Sequence, residues 1–237
     1  MTTITQEEIA TRIPHRYENL LLDKSTLVGE SGSEFSLNVL ENDPLGRQIF
    51  AYAFNNATVL PTPILSEIAA LACIVSSGAI KPGTFAYFAA ITNFSITGAP
   101  FSAFSTIIGS TEKLSDKNGF HKYSFRIETD DSEASGQIMA YYDTEGGSES
   151  QLPQVPNLSE SFKHAISTEQ GTPIDPFAFK AETMTFVHSV HLATDDEAVY
   201  SYQYPIDHPF TKGHFPKNPV MMGVCQWQML EDAISDY

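Results

Sequence analysis

The sequence is poor in basic residues and has no long apolar run. It contains 13 lysines and arginines against 29 aspartates and glutamates, a formal charge of −16. A chain with so few cations is not expected to bind nucleic acid or an anionic membrane surface. No apolar run approaches the roughly 18 residues of a membrane-spanning helix, and the N-terminus lacks the basic and apolar regions of a secretory signal. These absences predict a cytoplasmic protein without a membrane span.

Cysteine is also scarce. The two cysteines, Cys73 and Cys225, lie in apolar, helix-like runs. Neither has a metal-ligating neighbour at short spacing, so we expect ordinary buried thiols in a reducing compartment, no metal site and no cofactor. What the chain does have is apolar content, 42% of 237 residues. That is enough for one large domain or two of ordinary size.

One segment divides the chain. Residues 144–176 are rich in Gly, Ser, Pro and Glu and show little periodicity, which is typical of a connection between domains. We therefore predict a first domain over residues 1–145, a linker over 146–176 and a second domain over 177–237.

The first block has the pattern of an α+β protein. A Gly-Ser-Gly turn separates two strand-like runs in LLLDKSTLVGESGSEFSLNVLE. The stretch VLPTPILSEIAALACIVSSGAI predicts a buried helix, because prolines lie near its start and its residues are mostly small and apolar. Three or four strands are then predicted in FAYFAAITNFSI, FSAFSTIIGSTEKLS, FHKYSFRIETD and EASGQIMAYYD. One buried helix against an antiparallel sheet is an α+β layer arrangement.

The second block repeats the start of this order. Two strand-like runs around ATDDE lead to GHFPKNPVMMGVCQWQM, where a helix is predicted to begin near Val220. Aligned without gaps, FNNATVLPTPILSEI lies on FPKNPVMMGVCQWQM, which places Ala53 on His214 and Glu67 on Gln228. The first half thus has the acid and lacks the histidine, and the second half has the histidine and lacks the acid. The alignment predicts one site composed from both halves.

Two stretches resemble a known family. IPHRYENLLLD, residues 13–23, and GHFPKNPVMMGV, residues 213–224, resemble signature stretches of the 3-hydroxyacyl-(acyl carrier protein) dehydratases. The resemblance implies the hotdog fold, an antiparallel sheet wrapped around a central helix, in two tandem units. Only nine residues follow Gln228, so the second unit is expected to be incomplete. A longer protein, a homodimer partner or another chain would then complete its sheet.

The resemblance also implies roles for individual residues. In that family, a histidine of one unit and an acid on the helix of the other unit form each site. Carried over, His214 is the base and Glu67 the proton donor, which burial is expected to keep protonated. Gly223 would offer a backbone N–H to the thioester oxygen. His15 is expected to be structural, with a substrate or partner contact as the alternative. The residues expected to line the substrate are Phe215, Pro219, Val220 and Met222.

The implied reaction is dehydration of 3-hydroxyacyl thioesters to trans-2-enoyl thioesters, in fatty acid, polyketide or related lipid synthesis. The acyl group would be carried by acyl carrier protein or coenzyme A. Two alternatives stay open because fold alone does not fix the reaction. One is a hotdog thioesterase, which would activate water with its acid. The other is a non-catalytic acyl-binding or scaffold module.

Overall fold

A computed structural model describes residues 1–54, 56–77, 85–143, 172–173, 187–194, 197–202, 209–214 and 222–236. Most of the predicted linker lies outside these ranges. So do three of the predicted substrate-lining residues, Phe215, Pro219 and Val220.

The described elements follow the order that the sequence predicts. They are β1 (Thr2–Thr5), α1 (Gln6–Arg12), a 3-10 turn (Tyr17–Asn19), β2 (Lys24–Val28), β3 (Gly32–Asn38), a second 3-10 turn (Arg47–Phe50), β4 (Tyr52–Phe54), β5 (Ala57–Val59), α2 (Thr62–Ser76), β6 (Phe85–Gly98), β7 (Thr106–Lys117), β8 (Phe120–Glu128), β9 (Ser132–Asp143), β10 (Thr172–Pro173), β11 (Val187–Ala193), β12 (Ala198–Tyr202), α3 (Pro209–Lys212) and α4 (Gly223–Asp236). Among the described helices, none has the length and apolar character needed to cross a membrane.

Seven strands form one antiparallel sheet in the order β1-β2-β3-β7-β8-β9-β6. Its β7–β8 hairpin turns at Asn118 and Gly119, with φ of 53° and 78°, as the DKNG stretch predicts for a two-residue turn. A second, three-stranded sheet has the order β10-β11-β12, and β4 pairs only with β5 in the described part of the chain. The strands β1, β4 and β5, and β10 within the predicted linker, were not predicted, because segments of two to four residues are too short to show a period.

Helix α2 is the centre of the large sheet. Every residue from Pro63 to Val75 is buried, and the helix packs against β2, β3 and β6 to β9. A helix that is apolar on all sides must be enclosed in this way. Pro61 precedes the first turn and Pro63 lies within it, where the missing N–H costs nothing. An antiparallel sheet wrapped around one buried helix is the hotdog fold, so the predicted fold class is confirmed.

Helix α4 packs against α2. It begins at Gly223, the position that the gap-free alignment places on Thr62, where α2 begins. Its residues Val224, Cys225 and Met229 belong to the hydrophobic core that α2 forms with the large sheet. The second block therefore shares a core with the first in the described residues. The division into two tandem units, with the domain boundaries given above, stays a prediction.

Candidate functional site

Glu67 lies in the middle of α2 and is the only charged residue of that helix. Its side chain points into the core region, since the residue is 5% exposed. A buried carboxylate is strongly unfavourable unless it has a partner that donates hydrogen bonds or carries the opposite charge. The residues around Glu67 therefore determine what it can do.

The partner of Glu67 is His15, which the sequence did not single out as a site residue. His15 Nε2 lies 3.4 Å from Glu67 Oε1, and His15 is itself only 4% exposed. The signal that could have identified it is its place in IPHRYENLLLD, one of the two stretches that carry the family resemblance. The apolar run Leu20–Leu22 is buried, and His15, which lies shortly before it in the same stretch, is buried as well.

His214 completes the cluster from the second block. Its ring centroid lies 4.8 Å from that of His15, with the ring planes inclined by 55°. One ring nitrogen of His15, one ring nitrogen of His214 and one carboxylate oxygen of Glu67 all lie within 4.8 Å of one another. The structure thus brings together the two residues that were predicted to share a site, and it adds a second histidine.

The turn before His214 is fixed by the N-terminal segment. The backbone N–H of Arg16 donates to the Gly213 carbonyl at 2.8 Å. A Cβ at position 213 would overlap Asn19 Nδ2 and the Arg16 carbonyl oxygen, so only glycine fits there without a shift. The Arg16 guanidinium donates to the carbonyls of Ile13 and His15, at 2.7 and 2.6 Å. The segment around Arg16 therefore fixes the backbone at His15 and at the residue before His214.

A buried ion cluster fixes the same segment to the rest of the fold. Arg47 donates to both oxygens of Asp43 and, at 2.6 Å, to Asp23, which ends the IPHRYENLLLD stretch. Asp23 also accepts from the backbone N–H of Asn38 at 2.8 Å. Burial acts to raise the pKa of Asp43, but the hydrogen bonds and charge of Arg47 outweigh it and hold the pKa below its usual value.

The charge of Glu67 differs from the sequence expectation. Burial does raise its pKa, as expected. The hydrogen bond with His15 and the positive charges of His15 and His214 act in the opposite direction and outweigh burial. The pKa of Glu67 therefore lies below its ordinary value, and the expectation that burial keeps this carboxyl protonated is wrong. That expectation treated the helix surface alone and missed the two imidazoles.

The start of α4 lies next to this cluster. Burial raises the pKa of the Cys225 thiol, and the nearby Glu67 charge raises it further. Its backbone N–H donates to the carbonyl of Met222 at 3.0 Å. Met222 is fully buried, whereas Gly223, the first residue of the helix, is exposed. Backbone N–H groups at a helix start favour negative charge, so this end of α4 suits an oxyanion.

The two residues that the alignment pairs with Glu67 and His214 differ in burial. Gln228, which the alignment places on Glu67, is buried on α4, while Ala53, placed on His214, is exposed on β4. The family resemblance implies two symmetric sites in a pair of units, and that Ala53 and Gln228 leave the second of these without its histidine and its acid stays a prediction.

Two imidazoles and a carboxylate are also donor types that bind divalent ions. Two ligands on a tetrahedral Zn²⁺, bound at about 2.0–2.2 Å, lie roughly 3.4 Å apart. The donor atoms here spread over as much as 4.8 Å. As placed, the three side chains are charge partners whose donor atoms are spaced more widely than in a closed tetrahedral site, and the expectation of no metal site stays a prediction.

Comparison with known proteins gives one family match. Residues 190–237 match the model of ApeI-like proteins, described as ApeI dehydratase. No curated protein sequence matches the chain.

Several solved structures are similar at low identity. The dehydratase heterocomplex ApeI:P from Xenorhabdus doucetiae is 16% identical with a TM-score of 0.48, over 58% of this chain and 91% of that one. A fluoroacetyl-CoA-specific thioesterase is 18% identical with a TM-score of 0.32, over 36% and 63%. An uncharacterised protein from Pyrococcus horikoshii is 12% identical with a TM-score of 0.38, over 60% and 94%. The resemblance to the hotdog dehydratases that the sequence predicted is confirmed by the family match, which spans residues 190–237 and includes His214.

Proposed function

We propose that the chain is a dehydratase that removes water from 3-hydroxyacyl thioesters and yields trans-2-enoyl thioesters. The observation that carries the proposal is the convergence of His214 from the second block with Glu67 of α2 in one largely buried cluster. The dehydratase family match over the segment that contains His214 supports the same reaction.

The chemistry assigns a role to each part of the site. Dehydration needs a base for the weakly acidic α-proton and a source of a proton for the departing hydroxyl. His214 is the base, since an imidazole accepts protons near neutral pH. The thioester oxygen gains negative charge as the α-proton leaves, and the backbone N–H groups of Gly223 and Val224 at the start of α4 would stabilise it. The proton for the hydroxyl comes from the Glu67 side of the cluster.

The carrier of the acyl group is acyl carrier protein or coenzyme A, in the synthesis of fatty acids, polyketides or related lipids in the cytoplasm. Neither nucleic acid nor a cofactor takes part. Phe215, Pro219, Val220 and Met222 would line the acyl chain.

A coupled assay of water loss tests the proposal. The substrates are 3-hydroxyacyl thioesters of short and long chain length, presented on coenzyme A and on acyl carrier protein. We expect turnover by the unmodified protein and a loss of about 10²- to 10⁴-fold in His214→Gln and in Glu67→Gln. His121→Gln and Glu34→Gln are matched controls, because both residues lie outside the cluster. The proposal is contradicted if the folded protein is inert on every substrate. It is also contradicted if His214→Gln keeps full activity.

A thioesterase is the second candidate, and the charge of Glu67 favours it. A carboxylate that is ionised near neutral pH can activate water for attack on a thioester carbonyl, whereas it cannot donate a proton by itself. This reaction releases free thiol, whereas dehydration does not. Free thiol released at a rate that Glu67→Gln abolishes and His214→Gln leaves unchanged would identify hydrolysis.

A further inference from the structure

His15 gives the site a second imidazole, although one base is enough to take the α-proton. It is as deeply buried as Glu67, and its Nε2 lies 3.4 Å from the Glu67 carboxylate. Burying an imidazole beside a carboxylate costs free energy of folding unless the two groups form an ion pair or hold one proton between them. The His15–Glu67 contact therefore calls for a chemical role as well as a structural one.

Glu67 alone is poorly suited to protonate a hydroxyl. With its pKa below the ordinary value, the carboxyl is ionised near neutral pH. Three titratable groups face it. Cys225 has a raised pKa and stays a neutral thiol, and His214 is committed to the α-proton. The third is His15, whose Nε2 lies 3.4 Å from the Glu67 carboxylate, and imidazole is the side chain best suited to exchange a proton with it near neutral pH.

We propose that His15 and Glu67 together carry the proton that the leaving hydroxyl takes up, with His15 acting through Glu67 and not touching the substrate. This inference rests on the proposed dehydratase function. It makes His15 a positioning and proton-sharing residue, and it gives an ionised Glu67 a route to act as the donor.

The protons released and taken up in this reaction are equal in number, so no reactant other than the substrate is needed. His214 takes the α-proton, the electrons of the C–H bond form the C=C bond, and the C–O bond breaks. The proton of the pair passes from His15 through the Glu67 carboxyl to the departing oxygen, which leaves as water. His214 then holds one proton more and the pair one fewer. Transfer from His214 back to His15, whose ring centroid lies 4.8 Å away, restores the starting state.

The surrounding contacts keep the geometry that this transfer needs. The Arg16 guanidinium donates to the His15 carbonyl, and the Arg16 N–H donates to the carbonyl of Gly213, next to His214. The separation of the two imidazoles is therefore set by one turn of backbone. A side chain whose only role was to fill space would not need this coupling.

The test is the leaving-group dependence of elimination in His15→Gln. A 3-hydroxyacyl thioester needs a proton on its leaving group, and a 3-chloroacyl thioester, which loses chloride, does not. We expect His15→Gln to lower kcat/KM about 100-fold on the hydroxy substrate and by less than about threefold on the chloro substrate, after subtraction of the spontaneous rate. His214→Gln, which lacks the base, loses both reactions.

The pH profile gives the second readout. In the unmodified protein, kcat/KM on the hydroxy substrate falls at alkaline pH as the pair loses its proton. In His15→Gln this limb moves to lower pH, because the carboxyl alone must then hold the proton. A purely structural role predicts an equal loss on both substrates and an unmoved alkaline limb, and that result overturns the inference while the dehydratase function stands. An unmodified protein inert on the hydroxy substrate overturns both.

A measurement on the unmodified protein covers the case in which His15→Gln does not fold. The ¹⁵N resonances of the His15 ring are followed by NMR from pH 5 to 10. We expect His15 to lose its proton at the midpoint of the alkaline limb of activity. A midpoint more than about one pH unit away overturns the inference, since a shared proton has one macroscopic titration.

Discussion

The carbonyl of Gly213 accepts a hydrogen bond of 2.8 Å from the backbone N–H of Arg16, so the residue before His214 is fixed to the residue after His15. These two residues are nearly two hundred positions apart in the chain. The contact joins the two stretches that carry the family resemblance, IPHRYENLLLD and GHFPKNPVMMGV, at the point where each supplies a histidine. Because α2 supplies Glu67 between them, the site requires segments from both halves of the chain.

Replacing Gly213 with alanine tests this contact. The new Cβ would overlap Asn19 Nδ2 and the Arg16 carbonyl oxygen, so the turn must move and carry His214 with it. We expect a loss of about 1–3 kcal/mol in the free energy of unfolding from overpacking. We also expect kcat/KM to fall about 100-fold, because small displacements of a reacting group are costly. Urea unfolding and the dehydration assay measure the two effects.

Gly29→Ala is the matched control for Gly213→Ala. Gly29 has a φ of 65° and open space around its Cα, so alanine there strains only the backbone, by about 1 kcal/mol. It lies in the β2–β3 turn, outside the cluster. Equal losses of activity in the two variants, per folded molecule, would contradict a specific role for Gly213.

Arg47→Met tests the ion cluster that fixes the N-terminal segment. Arg47 is buried and pairs with Asp43 and Asp23, so its removal leaves the buried Asp43 carboxylate without a cation. Removal of one partner from a buried pair costs about 3–5 kcal/mol. We expect that loss in urea unfolding, and partial recovery in the double variant with Asp43→Asn, which removes the stranded charge. A double variant less stable than Arg47→Met would contradict this account.

The pH dependence of stability reports the charge of Glu67. Its pKa in the folded protein is lower than the ordinary value of 4.5, so the folded state favours the ionised carboxyl. The resulting stabilisation is fully present above pH 4.5 and is lost as the pH falls through the folded-state pKa. We expect the difference in unfolding free energy between the unmodified protein and Glu67→Gln to shrink with acidification below pH 4.5. Glu34→Gln, at an exposed position, supplies the baseline, and a difference that grows on acidification would show a raised pKa instead.

The sequence predicted the fold, and the proximity of Glu67 and His214, for identifiable physical reasons. A run of small apolar residues with prolines at its start indicated a buried helix, and β-branched and aromatic runs separated by the turn signals TGAP and DKNG indicated an antiparallel sheet around it. The comparison of Glu67 with Gln228 and of His214 with Ala53 predicted a site shared by the halves. The charge state of Glu67 was not predictable, because it depends on His15, which lies 52 positions away in a turn without periodicity.

A proline substitution at the start of α4 can be compared with the proline that α2 already has at the aligned position. The alignment places Val224 on Pro63, which lies in the first turn of α2 without interrupting that helix. Val224→Pro should therefore leave α4 intact while it removes a backbone N–H from the proposed oxyanion site. Loss of one such donor lowers kcat by about 10²- to 10³-fold in enzymes that stabilise an oxyanion.

Val224→Ala is the control, because Val224 is buried in the core and proline also removes part of its packing. Alanine loses at least as much of the side chain but keeps the N–H. We expect both variants to lose stability, by about 1–3 kcal/mol, and only Val224→Pro to lose kcat. If the alanine variant loses kcat to the same extent, the packing of α4 against α2 controls the rate. If neither loses kcat, the Val224 N–H has no part in stabilising the negative charge of the reaction.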